Sequence, residues 1–260
     1  MVDVTVLRPR RVTRLAVVVI AVALVCWVVA ADRMRGMDMG PGTGLGSLPF
    51  FLGIWVTMMA AMMLPSALPM VQLFDRIGRD RRGEGRAAPR TAVFVASYLA
   101  VWAAYGLVAF AVYRGIAAAH WRFIAWDRHG PLVAGAAVAG AGLYELTRLK
   151  RACLRHCRGP MHFILGGWRP GNGGAFLMGV EHGGYCVGCC FGLMLILFAL
   201  GAMSLTWMAV VTIVIFAQKV LPRAAGLHVP LAVALVGLGI WIAVAPDTVP
   251  GLTVPMATMG

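Results

Sequence analysis

Seven long apolar stretches, separated by short segments rich in arginine, occupy most of this sequence. The stretches cover residues 15–31, 48–74, 91–113, 131–146, 174–203, 205–221 and 229–245. A transmembrane helix needs about 20 predominantly apolar residues, and none of the stretches alternates as the strands of a membrane barrel do. We therefore predict an all-α fold, a polytopic transmembrane helical bundle of about seven spans that forms a single integral membrane domain over residues 1–260.

The composition supports a membrane environment and excludes a large soluble domain. Hydrophobic residues make up 60% of the 260 positions and charged residues 13%, against about 25% charged residues in soluble domains. The net charge of +13 would suit a nucleic-acid partner only if the basic residues were clustered on a soluble face. They lie instead between apolar stretches, so we expect the lipid bilayer, and no nucleic acid, as a partner.

The distribution of the basic residues predicts the orientation. Of the 23 Lys and Arg residues, 18 lie before the first stretch, after the second, after the fourth or at the end of the sixth. Lys and Arg accumulate in cytoplasmic loops, so the N-terminus is predicted to be cytoplasmic and the C-terminus outside, in a bacterial cytoplasmic (inner) membrane. Alternatively, the first stretch is a secretory signal cleaved after Ala30, which leaves six spans with the same sidedness.

Two stretches have unusual lengths. The fourth has only 16 residues, and we expect it to extend through residues 147–149. The fifth has 30 residues. Its first third is expected to lie at the interface or in a re-entrant bend, with the helix proper beginning near Gly184.

Cysteine clusters are the strongest functional signal. Five of the six cysteines fall in two groups, Cys153 with Cys157, and Cys186 with Cys189 and Cys190. Residues spaced i, i+3 and i+4 share one face of a helix, so each group presents its thiols together, and the first group adds His156 to the same face. Both groups are predicted at the cytoplasmic boundary, where we expect them to form one metal site. Nearby imidazoles that could join it are His156, His162 and His182.

Methionines form a second pattern. The short segment after the first stretch carries Met34, Met37 and Met39, where exposed thioethers would gain nothing from packing. In the second stretch Met59 and Met63 stand four residues apart, as do Met58 and Met62, and Met70 continues the row. Thioethers bind soft Cu(I) and are poor ligands for Zn(II). Methionines and cysteines together therefore indicate Cu(I), with zinc as the alternative, although methionine is also a common packing residue.

Prolines and ionisable residues inside the apolar stretches are also candidates. Pro65 and Pro69 indicate either a plain kink or a break that lines a site. Ionisable or polar residues near the cytoplasmic ends are Glu145, Glu181, Gln218 and Lys219. Charge is costly in lipid, so we expect these groups to support the thiols. For Lys219 the favoured role is ordinary anchoring at the interface.

Several of these motifs together resemble a known family. They are the runs 55–66, 149–160 and 179–190, then Trp207-Met208 and Gln218-Lys219. They are similar to a bacterial family of predicted metal-binding integral membrane proteins, which is classified as a domain of unknown function. The resemblance covers about residues 48–221 and implies metal binding and a polytopic helical fold. That family usually has an acidic residue before the lysine, and this chain departs from it with Gln218.

Three functions compete at this stage. The favoured one is a non-enzymatic protein that captures, relays or delivers Cu(I), with Met37 and Met39 outside, Met59 and Met63 within the span, and the cysteines inside. The second is a membrane thiol-disulfide oxidoreductase that uses the two cysteine clusters, although stable disulfides are uncommon on the reducing side. The third is an iron-sulfur electron carrier, which the cysteine spacing does not favour.

Overall fold

The computed structural model describes residues 9–35, 46–82, 87–118, 129–200, 204–221 and 226–249. All regular elements in these ranges are helical, which confirms the predicted all-α class. The α-helices are α1 (Pro9–Met34), α2 (Leu48–Arg82), α3 (Ala87–Ala118), α4 (Gly130–Glu145), α5 (Arg148–Arg158), α6 (Pro160–Gly167), α7 (Gly171–Leu200), α8 (Leu205–Val220) and α9 (His228–Val244). Each predicted apolar stretch corresponds to one helix, and α5 and α6 lie between the fourth and fifth stretches.

Four of the described helices are long and apolar enough to cross a membrane. They contain Thr13–Met34, Leu48–Arg79, Ala88–Ile116 and Gly171–Leu200, in α1, α2, α3 and α7. Helices α4, α8 and α9 have 16, 16 and 17 residues, short of the about 20 that a span needs. Length and composition therefore support four spans, and the predicted count of seven is not confirmed.

The predicted start of the fifth span near Gly184 is wrong, because α7 is one continuous helix from Gly171 to Leu200. Its glycines do not interrupt the helix. They allow α7 to approach α3 closely. A Cβ at Gly179 would collide with Ser97 Oγ, and a Cβ at Gly183 would lie 2.9 Å from Cβ of Val101. The close approach of the α3 and α7 backbones therefore explains these glycines, which in the sequence resemble helix breakers.

The predicted extension of the fourth span through residues 147–149 is also wrong. Helix α4 ends at Glu145, and Thr147 adopts an extended conformation at the start of α5. The Thr147 hydroxyl accepts a hydrogen bond from the Lys150 backbone N–H at 3.2 Å, which is the usual role of threonine at a helix N-terminus. The chain therefore starts a new helix and carries the first cysteine group on it.

Helices α2 and α7 form the centre of the described bundle. More than half of the apolar part of each is buried, whereas α1 is mostly exposed. Helix α3 packs on both of them, α1 packs on α2, α5 packs on α7, and α4 packs on α9. The Trp55 indole donates to the Trp102 carbonyl at 2.8 Å and links α2 to α3. Pro65 and Pro69 both lie inside α2, which continues through them.

Candidate metal centre

Three thiols of α7 form the core of the candidate site. The sulfur atoms of Cys186, Cys189 and Cys190 all lie within 4.8 Å of one another, and the three residues are buried. The Sγ atoms of Cys189 and Cys190 are 3.5 Å apart. Sulfur ligands about 2.3 Å from one tetrahedral ion would be roughly 3.8 Å apart. The spacing of these sulfurs therefore suits ligands that share one metal ion.

Helix α5 brings the first cysteine group against this core. Cys157 Sγ lies 3.6 Å from Cys189 Sγ, so a fourth sulfur is in contact with the core. Cys153 is buried and packs against Gly188, where an added Cβ would lie 2.7 Å from the Cys153 sulfur. Neither belongs to the group of mutually close sulfurs, yet the two predicted clusters do adjoin.

The thiols on α5 have raised pKa values. Burial raises the pKa of the Cys153 thiol above its ordinary value. A hydrogen bond with Cys186 is the main cause that raises the pKa of the Cys157 thiol. A metal ion binds the thiolate, so binding at Cys157 would release a proton.

The Cys186 sulfur has two polar partners from other helices. Lys219 Nζ, on α8, donates to Cys186 Sγ at 3.0 Å and to Ser66 Oγ of α2 at 3.3 Å. Tyr98 of α3 places its hydroxyl 3.0 Å from the same sulfur. Lys219 is only 9% exposed, so its predicted role as an interfacial anchor is wrong: its ammonium group faces the thiols.

Sequence reasoning did not assign Tyr98 or Ser66 to this site. Ser66 is the last residue of the run 55–66, which carries part of the family resemblance. Its place in that run is the sequence feature that could have indicated a role at the site. Tyr98 lies in an apolar stretch whose sequence gives no indication of a polar contact with Cys186.

The candidate histidines occupy different surroundings. His156 lies on α5 and stacks on Tyr185 of α7, with ring centroids 4.1 Å apart, while its Nδ1 lies 2.9 Å from the Ala152 carbonyl oxygen. His182 is buried one turn before Cys186 and is surrounded by aromatic rings. Its Nδ1 has no hydrogen-bond partner among the described residues. Neither histidine belongs to the group of three close ligands.

The methionines of α2 are all inside the bundle. Met59 and Met63 are fully buried and belong to the same apolar core as Cys186, Cys189 and Cys190. The Met63 carbonyl accepts a hydrogen bond from Ser66 Oγ at 2.9 Å, so Met63 adjoins the serine that Lys219 contacts.

The methionines that follow the first apolar stretch are only partly described. Met34 was predicted to be an exposed loop residue, and this is wrong, because it is the last residue of α1 and is 3% exposed. It packs in the apolar core, which satisfies its thioether without a metal. Met37 and Met39 lie outside the described residues.

A second polar cluster lies next to the first cysteine group. Glu145 of α4 forms a buried ion pair with Lys150 of α5. Gln218 of α8 donates to Glu145 Oε2 at 2.8 Å and accepts from Lys150 Nζ at 3.0 Å. An amide can serve both partners at once, which explains how this chain uses Gln218. Glu181, in contrast, is partly exposed and lies 3.8 Å from Arg169.

The comparisons with known proteins agree with a soft-metal site. A family model, PpoB2, described as a copper chaperone, matches residues 52–242, from the first turns of α2 almost to the end of α9. The matched region includes both cysteine groups, the methionines of α2 and Lys219. No curated protein and no solved structure matches the chain.

Proposed function

The chain belongs to the PpoB2 copper chaperone family, and from that premise we propose that it is a membrane protein that binds Cu(I) at its buried thiol cluster and passes it on. The observation that carries the proposal is the group of three buried sulfurs within 4.8 Å of one another, with a fourth in contact. Thiolates are the ligands that soft Cu(I) prefers.

The assignment of Cu(I) over zinc depends on the surroundings of the thiols. Zinc sites accept sulfur and nitrogen ligands, but a neutral thioether binds well only to a soft ion. Met59 and Met63 are buried in the same core as the thiols. We propose that they relay Cu(I), and that Met37 and Met39 capture it first.

Lys219 is proposed to balance the charge of the site. Several thiolates around a singly charged ion leave a net negative charge, and burying an unpaired charge is costly. The Lys219 ammonium group, 3.0 Å from Cys186 Sγ, compensates part of that charge. His156 and His182 are proposed as additional ligands during entry or release, and the unpartnered Nδ1 of His182 supports this role.

A membrane location is part of the proposal. Large apolar side chains are exposed along the described helices, among them Val18, Leu24 and Val28 of α1, each more than half exposed. Soluble monomers rarely expose large continuous apolar patches. We propose that these faces contact lipid in a bacterial cytoplasmic membrane, with the N-terminus inside and the C-terminus outside.

A thiol-disulfide oxidoreductase is less well supported. Thiol-disulfide exchange requires an attacking thiolate to reach the sulfur of its target. Cys186, Cys189 and Cys190 are each at most 2% exposed, so an external thiol has no direct access to them. Metal transfer through buried ligands does not need such access by a bulky reactant.

The central test is Cu(I) binding by the purified, detergent-solubilised protein under reducing, anaerobic conditions. We expect close to one Cu(I) per chain by elemental analysis, retained against a chromogenic Cu(I) chelator. Replacing Cys189 by Ser removes the sulfur that contacts both Cys157 and Cys190. The affinity should then fall by at least about tenfold, because one soft ligand is lost.

The chain contains its own control for that substitution. Cys26 lies on α1, outside the two groups, so Cys26→Ser should leave Cu(I) binding unchanged. Silver should compete with copper, and zinc should not. Preferential loading with zinc would contradict the copper assignment, and full Cu(I) affinity in Cys189→Ser would contradict the proposed site.

A further inference from the structure

A cavity of about 430 Å³ opens between α4, α5, α8 and α9, outside the thiol cluster. Its basic lining consists of Arg148, Lys150, Arg151, Arg155, Arg158 and His228. The volume is that of a small-molecule site rather than of a packing defect. The cavity has no role in the copper chemistry proposed above.

The charge of this cavity is strongly unbalanced. Five lining side chains are Lys or Arg and one is a carboxylate, Glu145, which leaves four net positive charges. That carboxylate is fully buried and already bonded to Lys150 and Gln218. Arg148 and Arg155 form no ion pair within the described part of the chain. The cavity therefore presents uncompensated guanidinium groups to any anion that enters it.

The chemistry of the lining suits a phosphate group. Guanidinium groups bind phosphate oxygens with two parallel hydrogen bonds and remain charged at all physiological pH values. Arg148 and Arg155 are exposed, so their donors can reach a ligand in the cavity. The buried Lys150 is paired with Glu145, so the arginines carry the charge that is free to bind a ligand.

Apolar side chains next to these residues indicate that the phosphate belongs to an amphiphile. Leu149 is 61% exposed beside Arg148, and Val229 is 51% exposed beside His228. Leu221, whose carbonyl accepts from Arg158 at 2.9 Å, is 52% exposed. Leu154 is the apolar residue that lines the cavity itself. A soluble anion would make no use of exposed apolar side chains near its site, whereas acyl chains would cover them.

We propose that this cavity binds the phosphate of an anionic phospholipid headgroup, with Arg148 and Arg155 as its main ligands. Basic pockets between helices at the cytoplasmic side of membrane proteins suit such headgroups. The inference rests on the membrane location given under the proposed function, but it does not depend on copper binding. The two proposals can therefore fail separately.

The test is native mass spectrometry of the full chain in neutral detergent, titrated with phosphatidylglycerol or with phosphatidylcholine. The wild-type chain should retain one phosphatidylglycerol at least about tenfold more tightly than phosphatidylcholine. The double variant Arg148→Gln/Arg155→Gln should bind it roughly thirtyfold more weakly, since each basic residue near an anionic lipid contributes about one kcal/mol. Both substitutions are at exposed positions, where effects on folding are usually small.

A matched control removes the same charge elsewhere. Arg14 and Arg76 are exposed and predicted on the same side of the membrane, but they do not line the cavity. Arg14→Gln/Arg76→Gln should retain the lipid, and Arg148→Lys/Arg155→Lys should retain part of the affinity. Cu(I) binding should be unchanged in all three variants.

Three results would overturn the proposal. Unchanged lipid affinity in Arg148→Gln/Arg155→Gln would remove the two arginines from the site. An equal loss of lipid affinity in Arg14→Gln/Arg76→Gln would show that the effect comes from general surface charge. Displacement of phosphatidylglycerol by an equal concentration of inorganic phosphate would identify a free-phosphate site instead of a lipid site.

Discussion

At the scale of single residues, the charge beside Cys186 is the feature that distinguishes this site from a row of buried thiols. An ammonium group that is mostly withdrawn from water needs a partner, and Lys219 has two, Cys186 and Ser66. The positive charge of Lys219 lies where it would offset part of the negative charge of a metal-bound thiolate at Cys186.

Replacing Lys219 by Met should weaken Cu(I) binding by about tenfold or more. A hydrogen bond to a charged group contributes about 1.5–3 kcal/mol, and Met keeps the length of the side chain while removing its charge. The measurement is competition with a chromogenic Cu(I) chelator at constant pH. Lys219→Arg preserves the charge and should retain most of the affinity, and equal affinity in Lys219→Met and the wild type would contradict the charge-balancing role.

The sequence predicts the ligands of this site better than their supports. The spacing of Cys186, Cys189 and Cys190 defines one helical face whatever surrounds the helix, so their proximity follows from local geometry. The contacts of Tyr98 and Lys219 with that face depend on how α3 and α8 dock. Docking is a tertiary property, and no local pattern in an apolar stretch specifies it.

At the scale of elements, the short helix α5 decides whether the fourth sulfur reaches the site. Helical spacing was predicted for Cys153, His156 and Cys157, but a separate helix between the fourth and fifth apolar stretches was not. Its inward face carries Lys150, Cys153 and Cys157, spaced three and four residues apart as on one side of a helix. This face packs on α7 at Gly188, where the absence of a side chain leaves room for Cys153.

Enlarging Gly188 should separate α5 from α7. In Gly188→Val the new side chain would overlap the Cys153 sulfur, so α5 must shift and carry Cys157 away from Cys189. We expect a loss of Cu(I) affinity with no ligand removed, measured by the same chelator competition. Gly184→Val is the matched control, one turn earlier on α7 with nothing within 4 Å of its added Cβ. Equal effects of the two substitutions would contradict the docking argument.

The buried cluster of Glu145, Lys150 and Gln218 fixes the other side of α5. Gln218→Leu removes a donor to Glu145 and an acceptor for Lys150. Leaving a buried polar group unsatisfied costs about 1–3 kcal/mol, so the unfolding temperature in detergent should fall. In Gln218→Glu the amide donor is replaced by a second carboxylate beside Glu145. Two charged carboxylates repel each other, so the unfolding temperature should fall as pH rises. Unchanged unfolding temperature in Gln218→Leu would contradict the role of this contact.

At the scale of the whole molecule, the apolar stretches predict the helices but not which of them cross a membrane. Composition predicts the apolar helices, whereas the arginine-rich α5 shows that a charged segment between them can also be helical. It does not separate a span from a helix buried by its neighbours. Helices α4 and α9 pack closely through Gly135 and Gly239, where an added Cβ at either position would collide with the backbone of the other. Such pairing explains how these two short apolar helices can stabilise each other.

The predicted orientation can be tested with introduced cysteines. Arg151 and Gly115 are exposed, and the predicted topology has them on opposite sides of the membrane. In intact cells, a membrane-impermeant maleimide should label Gly115→Cys and leave Arg151→Cys unlabelled until the membrane is permeabilised. A Cys26→Ser background removes the one native thiol outside the two groups. Labelling of Arg151→Cys in intact cells would contradict the predicted orientation.

The division of the sulfurs between two helices has a kinetic consequence. Three of them belong to one helix, α7, whereas Cys157 belongs to α5, a separate helix of eleven residues. In the copper transfer proposed above, an incoming ligand from an acceptor protein would therefore replace Cys157 first, while the other three hold the ion. We expect the lifetime of the bound ion to follow the undocking of α5 rather than the simultaneous rupture of all metal-sulfur bonds. Tight retention and rapid handover then become compatible in one site.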